Sequence, residues 1–230
     1  MHKRHTRNTT DPFKKIAHGG RLQSAAKLTA LSGEQKVLDY GCGDGALFEY
    51  LEPYVPAENL YGFDPGLLEQ MTFVGATCYD DPDVLVSKHK GHFDVVYCME
   101  VCEHLNFDAM CELYKNIHSV AKRDGTVIFG VPLETGLSGF LKNIYRSLRG
   151  GRQGATFGRA IKSLFGLWIP RACAPRGWIG SHVGFDAKAF SEQLKYGGFE
   201  VVRRHYLPAP KLRRFLNNEV YFICRLKEPN

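Results

Sequence analysis

The stretch VLDYGCGDG, from Val37 to Gly45, decides the fold class. A short apolar run passes through an acidic residue into three glycines on alternate positions. Runs of this kind, bounded by turn residues, are typical of buried strands, and glycines directly after a strand let the backbone approach a ligand closely. The spacing is GxGxG, which matches neither the GxGxxG of dinucleotide-binding proteins nor the Walker lysine pattern. The turn therefore predicts a ligand other than a pyrophosphate.

Strand-like and helix-like segments alternate over the rest of the chain. Seven strands are predicted, at 36–40, 59–63, 75–79, 93–99, 125–131, 199–207 and 219–227. Helical patterns are predicted at 46–51, 67–71, 107–121 and 187–196. This order indicates an α/β fold: a three-layer, Rossmann-like sheet that is mainly parallel and covered on both faces. The last two strands have no long helix between them and should form an antiparallel pair at the sheet edge.

Length and composition favour one domain. With 230 residues, 44% of them apolar, the chain can close one sizeable core, so a single domain over 1–230 is predicted, with a basic arm and a helix in 1–35. The seven cysteines are scattered without a CxxC pair, which argues against a disulfide framework and for a reducing, cytoplasmic location. No apolar run is long enough to predict a signal peptide or a membrane span.

The positive charge is unevenly distributed. The formal net charge is +6, and the window 136–185 contains no Asp or Glu but many Lys and Arg residues. The segments FLKNIYRSLRG (140–150) and FGRAIKSLFGLWIP (157–170) place apolar and basic residues on opposite helical faces. Residues 136–180 are predicted to form an inserted lid between strands five and six. Its helices either rest on an anionic membrane surface or pack on the core with a solvated basic face.

Several further segments resemble, in the correct order, the motifs of class I S-adenosylmethionine-dependent methyltransferases. They are the acidic residue of LYGFDP, nineteen residues after Gly45, then FDVVYCMEVCEHL and GTVIFGVP. The resemblance covers roughly Val37 to Lys227 and implies an enzyme with S-adenosylmethionine as its cofactor. The segments YCMEVCEHL and GSHVGFDAKAFSEQLKYGGFEVV are similar to those of the ubiquinone-biosynthesis O-methyltransferases and of relatives that act on natural products, glycans and small-RNA 3′ ends.

The resemblance assigns the methionine part of the cofactor to the glycine turn. Asp39 and the backbone of Gly41, Cys42 and Gly43 would face it, because the ammonium needs an anionic or carbonyl partner and the carboxylate suits backbone N–H groups. Arg21 would pair with the same carboxylate. Asp39 could instead cap the following helix, and Arg21 could be a surface arginine.

The nucleoside part is assigned to residues that follow the second and third strands. Asp64 would accept hydrogen bonds from both ribose hydroxyls, and Pro65 or a neighbour would pack on adenine. Asp80 or Asp81 would bind the adenine amino group. The alternative for Asp64 is an ordinary turn residue before Pro65.

Methyl transfer to a hydroxyl needs a base or a metal that lowers the acceptor's pKa. Met99 and Glu100 follow the fourth strand and would border the sulfonium. Glu103, His104 and His182 are the candidate catalytic residues. The ExxEH spacing, completed by His182, resembles the metal-dependent relatives, so Glu100, Glu103, His104 and His182 are predicted to hold magnesium, manganese or zinc. In the alternative, His104 is a lone base or a packing residue.

The predicted function is therefore O-methylation of a small-molecule, lipid or lipid-linked glycan hydroxyl. RNA 2′-O-methylation is an alternative that the positive charge allows, although no basic platform interleaved with aromatic residues is visible beyond the lid. A second alternative is a cofactor-binding subunit without its own activity. The predicted location is the cytoplasm, with peripheral contact to an anionic membrane through the lid.

Overall fold

The computed structural model describes residues 12–66, 73, 75–148, 150, 154–171, 179–212 and 217–227. The strands in this part are β1 (Val37–Tyr40), β2 (Leu60–Phe63), β3 (Thr77–Tyr79), β4 (Phe93–Met99), β5 (Ala121–Pro132), β6 (Phe199–Leu207) and β7 (Glu219–Leu226). They form one seven-stranded sheet in the order β3-β2-β1-β4-β5-β7-β6. β1 pairs in parallel with β2 and β4, and β2 with β3, whereas β6 is an edge strand antiparallel to β7. The predicted mainly parallel sheet with an antiparallel edge is confirmed.

The helices of the described residues are α1 (Pro12–Ala26), α2 (Phe48–Leu51), α3 (Pro82–Lys88), α4 (Phe107–Val120), α5 (Gly136–Leu148), α6 (Phe157–Leu164) and α7 (Ala187–Tyr196). The predicted helix at 67–71 lies outside the described residues. α3 was not predicted, although Asp81 followed by Pro82 is a recognisable helix start. No helix in the described ranges combines the length and apolarity needed to cross a bilayer.

By its internal contacts the chain divides into two compact units. The first, here the N-terminal unit, comprises Met1–Met99 and Asn116–Ile128, and the second, the C-terminal unit, comprises Glu100–Lys115 and Phe129–Asn230. The N-terminal unit is centred on β1, whose four residues are all buried. Its helix α1 packs closely on α2: a Cβ added to Gly19 would lie only 2.9 Å from the Tyr50 hydroxyl oxygen.

Aromatic rings fill the core of the C-terminal unit. Phe129 packs against Phe199 with 5.1 Å between ring centroids, and Phe190 of α7 packs against Phe222 of β7 at 5.7 Å. Tyr114 joins the same cluster, 5.3 Å from Phe199. These rings meet edge to face or nearly so, a favourable geometry for aromatic pairs. The cluster explains why β6, β7 and α7 contact one another through their apolar positions.

Helix α5 differs from the second of the two predicted arrangements of the lid, the one in which the basic face is solvated. Lys142 and Arg146 instead bind the carboxylate of Glu134, which is only 1% exposed. Burial alone would raise the pKa of Glu134, but the two cations outweigh it and hold that pKa below its usual value. The physical reason for the correction is that a buried carboxylate needs charged partners. The apolar side chains Leu141, Tyr145 and Leu148 are exposed.

Replacing Gly62 by alanine should lower the free energy of unfolding by about 1 to 3 kcal/mol, measured by urea or thermal unfolding. The added methyl would lie 2.8 Å from Cys42 Sγ, 2.9 Å from Cys78 Sγ and 3.0 Å from Phe48 Cζ. Gly158→Ala in α6 is the matched control, because its methyl would meet no atom within 4 Å and alanine favours a helix. Equal stability of the two variants would contradict the tight packing described around β2.

Candidate functional site

The turn after β1 passes through the left-handed backbone region three times. The φ angles of Gly41, Gly43 and Gly45 are 94°, 53° and 80°, values that residues other than glycine rarely adopt. The amides of Gly41 and Cys42 both donate to the carbonyl oxygen of Phe63, at 2.6 and 3.0 Å. The alternate glycines of the sequence are thus the residues that let the chain turn from β1 onto the end of β2.

Asp64, directly after β2, stabilises this turn through hydrogen bonds to its carboxylate. Its Oδ2 accepts a hydrogen bond from the Gly43 amide at 3.1 Å, and its Oδ1 accepts one from the Gly66 amide at 2.8 Å. Each carboxylate oxygen retains further acceptor capacity, so both could still receive ribose hydroxyls. Pro65 is exposed directly beside it. The predicted grouping of Asp64 with the glycine turn is present in the structure.

Asp39 is a buried carboxylate in β1. It is 3% exposed, and its Oδ1 has no hydrogen-bond partner among the described residues. Burial, together with the charge of Asp64, raises the pKa of Asp39 to about 8. An unsatisfied carboxyl group of this kind favours a cationic ligand group. Asp39 and the turn therefore fit a cofactor that carries an ammonium group and a diol, as S-adenosylmethionine does.

The remaining cofactor candidates occupy different environments. Asp81 caps α3, where its Oδ1 accepts from the amides of Asp83 at 2.8 Å and Val84 at 3.4 Å. Asp80 directly follows β3 and, like Asp81, is exposed, so the choice between them for the adenine amino group stays a prediction. Arg21 is half-buried on α1, and Met99 ends β4 half-buried; their contacts with a cofactor stay predictions.

A second polar cluster lies in the C-terminal unit, on the 3-10 turn Cys102–His104. His104 Nδ1 lies 2.7 Å from the carbonyl oxygen of Ile179, and the Ile179 amide donates to the His104 carbonyl at 2.8 Å. Because a carbonyl only accepts, Nδ1 carries the proton and the neutral ring has its lone pair on Nε2. Arg171 donates to the main-chain oxygen of Glu103 and holds the turn from the other side.

His182 and Glu103 complete this cluster. The Nε2 atoms of His104 and His182 are 3.2 Å apart, and Glu103 Oε1 lies 3.9 Å and 4.0 Å from them. Glu103 is 0% exposed, and neither of its oxygens meets a hydrogen-bond donor within the described ranges. Burial, and then the charge of Glu100, raise the pKa of Glu103 well above its usual value. Burial, and then His104, lower the pKa of His182 to about 4.

Glu100 was predicted to be a metal ligand together with Glu103, His104 and His182, but the structure does not group it with them. Donor atoms of Glu103, His104 and His182 all lie within 4.8 Å of one another, but this group does not include Glu100. Glu100 is the one non-glycine residue with a positive φ in the described chain, 55°, and its amide donates to Gly130 O at 2.9 Å. No sequence pattern could predict the role of the Ile179 carbonyl, because every residue has a backbone carbonyl. Arg171 could have been found, because it lies in the window 136–185 that is rich in Lys and Arg.

Comparison with known proteins identifies the family. A family model described as a methyltransferase domain matches residues 13–204. The chain belongs to this methyltransferase family. The enzyme is an S-adenosylmethionine-dependent methyltransferase of class I, as the resemblance implied. A search of curated protein sequences gives no match to it.

Solved structures share the fold of this methyltransferase. A SAM-dependent methyltransferase from Archaeoglobus fulgidus is 16% identical with a TM-score of 0.59, covering 93% of this chain and 94% of that one. Magnesium protoporphyrin IX methyltransferase from Synechocystis PCC 6803, with bound SAH, is 15% identical with a TM-score of 0.55, covering 96% and 89%. A third, an S-adenosylmethionine dependent methyltransferase from Mesorhizobium loti, is 15% identical with a TM-score of 0.52, covering 90% and 96%. At these identities the likeness concerns the fold.

The change Asp64→Ala should weaken S-adenosylmethionine binding by about 2 to 4 kcal/mol, because a charged acceptor of two hydrogen bonds is lost. Isothermal titration calorimetry measures the affinity. Asp83→Ala on α3 is the control, since it removes the same charge from an exposed position. An affinity in Asp64→Ala equal to that of the control would remove Asp64 from the cofactor site.

Binding of S-adenosylmethionine near pH 7 should release about one proton. With a pKa of about 8, the free Asp39 carboxyl is mostly protonated there and must ionise to pair with the ammonium. Because protons are released, affinity should rise as the pH increases towards that value. Calorimetry in buffers of different ionisation enthalpy counts the protons, and Asp39→Asn should release none. Proton release that persists in Asp39→Asn would assign the ionisation to another group.

Proposed function

We propose that this methyltransferase transfers a methyl group to a hydroxyl oxygen of a small-molecule, lipid or lipid-linked glycan acceptor. The cluster of Glu103, His104 and His182 carries the proposal. It combines two imidazole nitrogens 3.2 Å apart with a fully buried carboxyl group that has no hydrogen-bond donor among the described residues. A hydroxyl is a weak nucleophile that has to lose its proton, so a cluster of basic atoms suits an oxygen acceptor better than an already nucleophilic one.

His104 is suited to receive that proton. When bound, S-adenosylmethionine supplies an electrophilic methyl group on a positively charged sulfur. The carbon–sulfur bond breaks as the carbon–oxygen bond forms, and the hydroxyl proton passes to a base. The hydrogen bond from His104 Nδ1 to Ile179 O favours the tautomer whose lone pair is on Nε2, the atom that lies 3.2 Å from His182 Nε2. The reciprocal bond between the Ile179 amide and His104 O limits movement of the ring.

We further propose that Glu103, His104 and His182 hold a divalent cation, namely magnesium, manganese or zinc. One carboxylate and two imidazoles form a mixed donor set of the kind these ions accept, manganese and zinc most readily. A cation would satisfy the Glu103 oxygens and both Nε2 atoms at once, and it would lower the pKa of a bound hydroxyl. In the metal-free alternative His104 is the base, and its bond to Ile179 O suits either role, because a metal-ligating histidine also donates its other ring hydrogen to a carbonyl.

A cytoplasmic location and a single catalytic domain over 1–230 remain parts of this proposal. The cysteines in the described part are free thiols, which supports a reducing compartment: Cys42, Cys78, Cys98, Cys102, Cys111 and Cys224. Turnover by the purified chain alone would distinguish an enzyme from a cofactor-binding subunit.

Chelation tests the cation. After dialysis against EDTA, formation of S-adenosylhomocysteine from cell-extract acceptors should fall, and one of magnesium, manganese or zinc should restore it. Electron paramagnetic resonance of added manganese gives a readout without turnover, and His182→Ala should weaken manganese binding by more than about tenfold. His205→Ala, a half-buried histidine on β6, is the matched control. Full activity after chelation would exclude the cation.

The base is tested separately. His104→Ala should lower the turnover rate by roughly a hundredfold or more and leave S-adenosylmethionine affinity unchanged. Activity that survives both chelation and His104→Ala would exclude the whole cluster from the reaction.

A further inference from the structure

Helices α5 and α6 and the segment after α6 expose many large apolar side chains. Leu148 is 82% exposed, Trp168 79% and Phe165 70%. The set, called the α5–α6 apolar surface from here on, consists of Leu141, Tyr145, Leu148, Phe157, Ile161, Leu164, Phe165, Leu167 and Trp168. Large apolar side chains that are exposed together mark sites of interaction.

The exposure follows from how the two helices are built. Leu141, Tyr145 and Leu148 recur at spacings of four and three residues, so they lie on one face of α5. Phe157, Ile161 and Leu164 repeat this pattern on α6, and Phe165 directly follows its end.

The buried positions of α5 and α6 are small or polar: Ser138, Gly139, Asn143, Ala160 and Ser163. Asn143 Nδ2 donates to Gly139 O at 3.0 Å and to Ser163 Oγ at 3.4 Å, which links the helices through their small faces. Packing through small residues leaves the large apolar residues on the outside, the arrangement seen between helices that face lipid.

Charge indicates what covers this surface. The window 136–185 has no carboxylate in its sequence, and the nearby Glu134 is buried and neutralised by Lys142 and Arg146. Lys162 is exposed on α6. A second copy of the chain would bring two positively charged surfaces together, whereas anionic lipid headgroups are complementary to them.

The aromatic content points the same way. Tyr145, Phe157, Phe165 and Trp168 are all more than half exposed, at 53%, 65%, 70% and 79%. Tyrosine and tryptophan are enriched where membrane meets water, because one part of each ring system prefers apolar surroundings and another prefers polar ones. We propose that the α5–α6 apolar surface binds the interface of a bilayer that contains anionic lipids. This proposal concerns binding and does not rest on the reaction proposed above.

Vesicle flotation of the full chain tests the proposal. Binding to phosphatidylcholine vesicles that contain phosphatidylserine should exceed binding to pure phosphatidylcholine vesicles by at least about tenfold and should weaken at high salt. The double change Phe165→Ser and Trp168→Ser should reduce binding to the anionic vesicles by at least about tenfold.

Matched controls come from the same unit. Tyr196→Ser with Val202→Ser removes two other exposed apolar side chains, 91% and 51% exposed, and should leave vesicle binding unchanged. Lys162→Glu should weaken binding more than Lys188→Glu, which makes the same charge change on α7. Affinity for S-adenosylmethionine, measured on every variant, confirms that each is folded.

Three results would overturn the proposal. The first is equally weak binding to both kinds of vesicle at low salt. The second is an equal loss of binding in the control variants. The third is that the chain does not bind vesicles but dimerises with increasing concentration, and that Phe165→Ser with Trp168→Ser abolishes the dimer. This result would assign the surface to a second copy of the chain.

Discussion

The chain has to leave β1, reverse its direction and begin α2 while hydrogen bonding to the end of β2. Only a backbone that enters the left-handed region at Gly41, Gly43 and Gly45 does this here, and the amides it turns outward bind Phe63 O and the Asp64 carboxylate. The same geometry leaves Asp39 buried beneath the turn with an unsatisfied oxygen. The candidate cofactor residues of the N-terminal unit depend on this short stretch for their positions.

Three buried carboxylates show how partners determine the role of a charge. Glu134 is bound by Lys142 and Arg146, and its pKa is held low, which is typical of a structural ion pair. Within the described ranges, Glu103 has no hydrogen-bond donor on either carboxyl oxygen and Asp39 has none on Oδ1, and burial raises the pKa of each. A protein that keeps an unsatisfied carboxyl group loses stability, so the group is expected to serve a ligand. That contrast supports the assignment of Asp39 and Glu103 to binding or chemistry.

Sequence patterns predicted the sheet well because alternating apolar runs and turn residues are local features. β4, β6 and α7 begin and end at the predicted residues. β5 begins at Ala121, earlier than predicted. Its start was missed because Lys122, Arg123 and Asp124 are charged and the last two are exposed, which conceals a strand. Helical periodicity predicted which residues form the apolar faces of α5 and α6, but not whether those faces are buried or exposed. Which face is covered depends on Glu134, a buried partner that no local pattern reveals.

The ion cluster at Glu134 also fixes the rotation of α5 about its own axis. If the helix turned so that Leu141, Tyr145 and Leu148 were buried, Lys142 and Arg146 would leave the carboxylate alone in the interior. An unpaired buried charge costs about 3 to 5 kcal/mol, comparable to the gain from burying what remains exposed of these three side chains, 54%, 53% and 82% of their surfaces. Self-burial of the apolar face is therefore opposed by electrostatics, and the face stays outward in the isolated protein at little net cost. A helix held in this way is preorganised: it needs no rotation before it meets an apolar environment.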